Sequence, residues 1–152
     1  MNTNVTINVV EDVTLISFLE SPADINMISS VFTEIANAGI DVDMISQSPH
    51  GKNSTLSFTV SGEDFGRILE ISSKMREINP NLKFSVSSGN CKISVFSEAM
   101  RGCPGYSAKI FAALAAHETD IRMVTTSEVD ISLLVTESDK ENAVAAIEAI
   151  DF

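Results

Sequence analysis

The chain has 152 residues, of which 44% are hydrophobic and 20% charged, and its 10 Lys and Arg against 21 Asp and Glu give a net charge of −11. This length and composition indicate one large domain or two small ones with a packed core, and they exclude a disordered chain. Such an acidic protein repels polyanions, so nucleic acid and anionic membranes are disfavoured as partners. With no membrane-spanning run, no signal peptide and only two cysteines, a cytoplasmic location is expected.

The first half of the chain opens with two apolar stretches and a helical pattern. Residues 5–10 and 13–19 are rich in β-branched and aliphatic side chains, which predicts a β-strand in each. A helix is predicted over residues 24–38, where apolar residues recur every three or four positions, and Gly39 ends it. The side chains expected to face the core are Ile25, Ile28, Val31, Phe32 and Ile35.

Four further segments follow in this half. Residues 40–46 alternate apolar and polar side chains, which predicts a half-buried strand, and residues 47–53 are predicted to form a loop. Residues 55–60 predict another strand, and residues 63–78 a second helix with Ser61 as its cap. The residues expected to face inward from that helix are Phe65, Ile68, Leu69, Ile71 and Met75.

The second half repeats this order of elements. Strands are predicted over residues 92–96, 119–125 and 129–135, and Pro104 begins a helix that runs to about residue 117. A last helix is predicted over residues 139–150, with the serine before it as the cap. One constant spacing relates four pairs of identical residues, which indicates a duplicated unit: Phe32 and Phe111, Asp41 and Asp120, Met44 and Met123, and Ser48 and Ser127.

The two halves differ in their last strand. Residues 82–86 give the first half the order βαββαβ, whereas the second half ends after its second helix. Because a missing strand would leave backbone groups unpaired at a sheet edge, we expect the amino-terminal strand to complete the carboxy-terminal unit. The predicted fold is therefore α+β, with one unit over residues 12–88 and the other over residues 89–152 plus strand 3–11.

Side chains that commonly carry catalysis or bind metals are sparse. The chain has no phosphate-binding, nucleophile-elbow or zinc-protease motif, and His50 and His117 have no cysteine or carboxylate at a metal-binding spacing. Cys103 lies where a loop meets a helix but has no evident general base, and Cys91 lies within a strand, so both thiols are expected to be inert. The prediction is a protein that is not an enzyme, with no catalytic residue, cofactor or metal.

A few residues suit the binding of a small zwitterion. Asp41 and Asp43 would project from one face of a strand, where they either meet an amine or are simply solvated. Helix amino termini offer free backbone N–H groups to a carboxylate, so the two kinds of group together would suit an amino acid. Met44, Met100 and Met123 would either pack in the core or line an adaptable pocket.

Three segments resemble the tandem ACT domains at the carboxy terminus of aspartate kinases: residues 39–47 (GIDVDMISQ), 100–105 (MRGCPG) and 121–132 (IRMVTTSEVDIS). The resemblance covers essentially the whole chain and includes no kinase catalytic domain. It implies ferredoxin-like βαββαβ units that pair side by side and bind an amino acid at their interface. In the kinases, such domains sense lysine, threonine or methionine and transmit feedback inhibition.

The resemblance also implies where an effector would bind. One wall would come from the first-repeat loop and helix start, and the other from the strand that follows the helix. The usual motif D-[KR]-P-G is altered to Ala23-Asp24-Ile25-Asn26, whereas the second repeat keeps Pro104-Gly105. The implied ligand-binding residues are Asp24, Asn26, Ile28, Asp41, Val42, Asp43 and Gln47, with Met100, Gly105, Asp120, Ile121 and Arg122 as second-repeat equivalents.

The resemblance thus implies a non-catalytic regulatory protein that binds an amino acid and forms a homodimer through its ACT units. It would be either free-standing or the regulatory partner of a separate kinase catalytic subunit. The alternative is a structural module that dimerises but has lost its ligand. A small enzyme on the same scaffold would need a catalytic pair that the sequence does not contain.

Overall fold

The computed structural model describes residues 4–22 and 24–152, so Ala23 of the predicted loop and residue 3 of the predicted first strand lie outside the described residues. The chain divides into two compact units, one of residues 12–89 and the other of residues 4–11 with 90–152. Within the described residues, no helix is long and apolar enough to cross a membrane.

The first unit is a sheet with the strand order β2-β3-β1-β4, in which β3 runs antiparallel to both β1 and β2. A short 3-10 turn, Gly62–Asp64, precedes its second helix, and the side chain of Ser61 accepts a hydrogen bond from Glu63 N there, as expected of a cap. The elements are β1 (Thr6–Pro22), α1 (Ile25–Asn37), β2 (Ile45–His50), β3 (Asn53–Ser61), α2 (Phe65–Ile78) and β4 (Lys83–Phe96).

The core of the first unit lies between its sheet and its helices. The inward faces of the helices are confirmed for Val31, Ile35, Ile68, Ile71 and Met75, all buried, and for Ile28 and Phe32, which are half-buried against the same core. Three expectations are wrong. Ile25 is 73% exposed because it is the first residue of α1, one turn before the core begins, and Phe65 and Leu69 are exposed because they lie on the flank of α2.

The second unit has the strand order β1-β4-β6-β5 and its own core. Its remaining elements are α3 (Tyr106–Ala116), β5 (Ile121–Thr126), β6 (Asp130–Thr136) and α4 (Lys140–Glu148). Pro104 lies just before α3, and Gly105 at φ 114° is the residue that leads into the helix. The predicted serine cap of α4 is wrong, because Ser138 lies within a 3-10 turn and its hydroxyl hydrogen-bonds to that of Thr136 at 2.9 Å.

The strands β1 and β4 each run through both units. The predicted strands over residues 5–10 and 13–19 are one continuous strand, as are those over residues 82–86 and 92–96. Polar residues interrupt the apolar pattern at each junction, but a single left-handed residue, Asp12 (φ 53°) in β1 and Gly89 (φ 71°) in β4, turns the strand without ending it. The α+β fold class is confirmed, with the amino-terminal strand in the second unit.

The hairpin of the first unit begins later than its sequence pattern predicts. Residues 40–44 are not regular strand, and β2 instead covers residues 45–50, most of which were expected to be loop. Gly51 and Lys52 alone form the turn, since His50 lies opposite Asn53. Pro49 is tolerated because β2 is an edge strand, where a backbone N–H is dispensable.

The two cysteines differ in their environments. Cys91 is fully buried in the core of the second unit, whereas Cys103 is exposed. Burial, reinforced by the negative charge of Glu137, raises the pKa of the Cys91 thiol from 9.0 to about 11. Cys91 is therefore a protonated, unreactive core residue at neutral pH.

A first prediction concerns Gly62, whose Cα lies against the Asp12 carboxylate so closely that a methyl group there would overlap it. Gly62→Ala is expected to lower the free energy of unfolding by about 0.5–1.5 kcal/mol, because the exposed Asp12 side chain must leave its rotamer. The loss should largely disappear in an Asp12→Gly background, because the carboxylate is then absent.

Urea denaturation of the four variants of this cycle measures the coupling. Gly66→Ala is the matched control, because a methyl group at this helical position meets nothing within 4 Å. It should stabilise the protein by roughly 0.5–1 kcal/mol. Equal effects of Gly62→Ala with and without Asp12 would contradict the overlap.

A second prediction concerns the thiols. A disulfide reagent should modify Cys103 at once in the native protein and Cys91 only as the second unit opens, so Cys103→Ser should abolish the fast phase. Because the pKa of Cys91 is raised on folding, its contribution to stability is complete below pH 9 and is lost as the pH rises towards 11.

Cys91→Val should therefore flatten the fall in the free energy of unfolding between pH 9 and 11, whose slope from one thiol is at most about 1.4 kcal/mol per pH unit. Chemical denaturation at several pH values checks this. Fast modification of both thiols, or an unchanged slope in the variant, would refute the burial of Cys91.

Candidate functional site

The start of α1 is occupied by its own cap. Asp24 precedes the helix, and its Oδ1 accepts hydrogen bonds from the backbone N–H and the Nδ2 of Asn26, both at 3.0 Å. Both residues are exposed. Because this carboxylate already satisfies the helix end and adds negative charge to it, the α1 terminus is poorly suited to a second carboxylate.

The segment after α1 presents a row of exposed side chains. Asp41, Asp43 and Gln47 are exposed, and Ile45, on the same alternating positions, is 49% exposed. The segment is held to β3 by Thr59, whose carbonyl accepts a hydrogen bond from Asp43 N at 3.1 Å. Because β2 is an edge strand, two carboxylates, an aliphatic group and an amide follow one edge of the first unit.

The side chains of two predicted site residues face the core. Ile28 and Val42 are partly buried and pack against the hydrophobic core of the first unit. Side chains in those positions support the exposed residues beside them. Val42 lies between Asp41 and Asp43. Because successive side chains of extended backbone point to opposite sides, the inward side chain of Val42 directs both carboxylates outward.

The two predicted walls do not meet within the first unit. Asp24 and Asn26 lie at the beginning of α1, and Asp41 and Asp43 follow its end. A helix of 13 residues is about 20 Å long, which is far more than the length of an amino acid. A ligand that contacts both sets would need them from different molecules.

The second repeat has a pocket where the first has a capped helix. A cavity of about 300 Å³ lies at the amino terminus of α3, lined among others by Met100, Gly105, Ser107, Thr126 and Ser127. No side chain caps α3, because the residue before it is glycine, and the first backbone N–H groups of the helix have no acceptor within it. Free N–H groups and hydroxyls around an uncapped helix end suit a carboxylate.

The sequence interpretation placed Met100 and Gly105 at this site but missed the hydroxyl groups that line it. Thr126 and Ser127 reach the pocket because the β5–β6 turn is closed by a hydrogen bond of 2.8 Å from Ser127 N to Asp130 O. Glu128 also lines the pocket and forms an ion pair with Arg101. The sequence signal for these residues is the TTSE stretch, residues 125–128, in the third of the resembling segments. The sequence interpretation assigned no role to it.

The second-repeat counterparts of Asp41 and Asp43 have a different charge. Asp120 pairs with Arg122, with Oδ2 and Nη2 2.8 Å apart, so the acidic pair of the first repeat becomes an ion pair in the second. Ile121 packs against the core. These residues follow the end of α3, whereas Met100 and Gly105 precede its beginning, so the structure does not bring them together within the unit.

The remaining candidates have structural roles or none. Met44 and Met123 are buried, and Met100 is the methionine that lines the pocket. His50 and His117 are exposed. No group of three or more His, Cys, Asp and Glu side chains is arranged to hold a metal ion in the part of the chain that the structure describes.

Comparisons with known proteins agree on one family. A family profile described as ACT domain matches residues 93–150. Aspartokinase 2 of Bacillus subtilis (strain 168) is 28% identical over 137 residues, which are 90% of this chain and 34% of the relative. The chain thus spans about a third of the length of this curated relative.

Two solved structures match along nearly their whole chains. The regulatory subunit of aspartate kinase from Thermus thermophilus, in a ligand-free form, superposes with a TM-score of 0.87 at 26% identity and 97% coverage of both chains. A structure of aspartokinase alpha and beta subunits gives a TM-score of 0.85 at 31% identity, with 95% of this chain and 96% of that chain covered.

Proposed function

Because the chain belongs to the family of ACT-domain regulatory regions of aspartate kinases, we propose that it binds a free amino acid of the lysine, threonine or methionine class and regulates a kinase in response. These 152 residues contain the regulatory region and not the catalytic domain. The observation that carries the proposal is the division of complementary groups between the repeats: exposed carboxylates in the first and an uncapped helix end in the second.

The ammonium group of the ligand binds along the edge of the first unit. Asp41 and Asp43 supply negative charge there, Gln47 supplies an amide, and Ile45 offers an aliphatic surface between the carboxylates and the amide. The second repeat is a poor substitute because Arg122 occupies the position that corresponds to Asp43 and neutralises Asp120.

The carboxylate of the ligand binds at the amino terminus of α3. Backbone N–H groups there adjoin a cavity of about 300 Å³ that Ser107, Thr126 and Ser127 line. The Ser127 oxygen accepts hydrogen bonds from Val129 N and Asp130 N, and its hydroxyl proton remains able to donate. Asp24 occupies the equivalent end of α1, which favours the second repeat for this role. The two halves of the site are contributed by different chains of a homodimer.

A ligand of this kind regulates by its difference in affinity for two arrangements of the assembly. An amino acid that bridges two chains binds more tightly to the arrangement in which both walls are present. A separate kinase catalytic subunit is the proposed recipient of that change. Likeness to an aspartate kinase regulatory subunit, covering 97% of both chains, supports this partner.

A screen of the purified protein against the twenty amino acids tests the proposal by thermal shift. A ligand at about 100 times its dissociation constant stabilises the native state by roughly 2.7 kcal/mol, which raises Tm by about 5–10 °C in a chain of this size. Lysine, threonine or methionine should produce the shift. The corresponding amino-acid amide and N-acetyl derivative should not, because each lacks one of the two recognised groups.

Variants locate the site. Asp41→Asn and Gln47→Ala are expected to abolish the ligand-induced shift while leaving the Tm without ligand nearly unchanged, since both side chains are exposed. Glu70→Gln on α2 is the matched control and should respond as the wild type does. A flat panel at millimolar concentrations would overturn amino-acid sensing and favour a module that only dimerises.

A further inference from the structure

We propose that the outer edge of β1 over residues 6–11, together with the exposed face of α4, is a docking groove for a cationic, partly apolar segment of another protein, which binds as an added β-strand. We call it the β1–α4 groove, lined by Val5, Ile7, Val9, Val144 and Glu148. The inference is independent of the proposed amino-acid site, which uses other residues.

The edge of β1 is open over residues 6–11. In the second unit, β1 and β5 are the outermost strands, and β1 has β4 on one side. On its other side, β3 pairs with β1 only over Val13–Pro22, so no strand among the described residues accompanies residues 6–11 there. Alternate N–H and C=O groups of this stretch therefore point outward, which is the template for β-strand addition.

An apolar floor runs beside this edge. Two cavities of about 420 and 380 Å³ lie between β1 and the carboxy-terminal part of the chain, and Glu148 lines both, so they adjoin. Val5 and Ile7 line the first cavity, and Val9 and Val144 line the second. Val9 is 40% exposed, so alternate side chains of an added strand would find apolar surface to cover.

The rim of the groove is acidic. Glu11, Glu141, Glu148 and Asp151 line it. Lys140, which lines the groove, is already engaged: its Nζ lies 2.5 Å from Glu11 Oε1 and 3.0 Å from Glu137 Oε1. Lys109 Nζ donates a hydrogen bond of 2.7 Å to the carbonyl of Asp151.

This charge identifies the class of partner. Four carboxylates and one lysine line the groove, so lysine or arginine side chains of an incoming strand would gain charge-assisted contacts at its rim. A second copy of this chain would bring the same acidic rim to this edge, so self-pairing at the β1–α4 groove is disfavoured. The occupant is therefore a basic segment of a different protein.

The corresponding edge of the first unit carries charged side chains. The edge strand opposite β2 is the first part of β4, which begins with exposed Lys83. The guanidinium of Arg76 lies 4.6 Å from the centre of the Phe84 ring. Charged side chains on an edge strand discourage pairing with another chain. Residues 6–11 read Thr-Ile-Asn-Val-Val-Glu, with no cation and no proline.

Fluorescence anisotropy with a labelled, end-capped seven-residue peptide of alternating lysine and valine tests the proposal. The peptide should bind saturably at submillimolar concentration, and hydrogen exchange of the amides of residues 6–11 should slow on binding. A peptide with glutamate in place of lysine should not bind. A peptide methylated on alternate backbone nitrogens keeps charge and apolar surface but should also fail, because it cannot add to the edge.

Charge reversal on the protein separates the groove from general attraction. Glu148→Lys should weaken binding of the lysine–valine peptide at least about tenfold, or 1.4 kcal/mol. Glu70→Lys makes the same charge change on α2 and should alter affinity less than about twofold. Lysine near the end of a helix is compatible with its dipole, so Glu148→Lys should retain its helical circular dichroism.

Three results would overturn the proposal. An absence of saturable peptide binding would show that the groove is not a docking site. Equal losses of peptide affinity in Glu148→Lys and Glu70→Lys would show that binding arises from long-range charge attraction alone. Equal affinity of the methylated peptide would exclude strand addition. Failure of the amino-acid screen would leave all these outcomes unaffected, because the peptide experiment requires no amino-acid ligand.

Discussion

The fold depends on two strands that each serve two sheets. β1 supplies residues 12–22 to the first unit and residues 6–11 to the second, and β4 is divided in the same way near Gly89. The first unit is continuous in sequence, whereas the second is complete only when residues 4–11 join residues 90–152. Each strand stays continuous because one residue with a left-handed backbone, Asp12 in β1 and Gly89 in β4, turns it between the units. This conformation is strained for Asp12 and costs glycine little.

The two units share one scaffold, but single side chains give their helix ends and strand edges different charges. Asp24 caps α1 with a carboxylate, whereas Gly105 leaves the end of α3 open. Asp43 keeps an acidic edge in the first unit, whereas its counterpart Arg122 neutralises the second. These changes leave the cores alone, because cap and edge residues are exposed. The repeats can therefore diverge in ligand chemistry without loss of fold.

Much of the fold follows from periodicity, because buried positions such as Val31, Ile35, Ile68 and Ile71 recur at helical spacing. Local patterns failed where hydrogen bonding to a distant strand decided the structure: residues 47–50 contain turn-forming types yet pair with β3, and the polar junctions of β1 and β4 stay extended. The pocket at α3 was only half predictable. Gly105 belongs to a recognisable motif, but Thr126 and Ser127 reach it through the β5–β6 turn, which no local spacing encodes.

Negative charge determines which partners can bind the exposed strand edges of the two units. An open strand edge normally invites association with a second copy, but a net charge of −11 opposes it, and the acidic rim around residues 6–11 opposes it locally. The same reasoning applies to the β2 edge, where Asp41 and Asp43 are exposed. Under the proposed function, an amine that neutralises these carboxylates lowers the repulsion between approaching chains, so ligand binding and assembly stabilise each other. Under both proposals, the negative charge makes binding at each edge depend on a cationic group. At the β2 edge this group is the ammonium of an amino acid, and at residues 6–11 of β1 it is a basic strand.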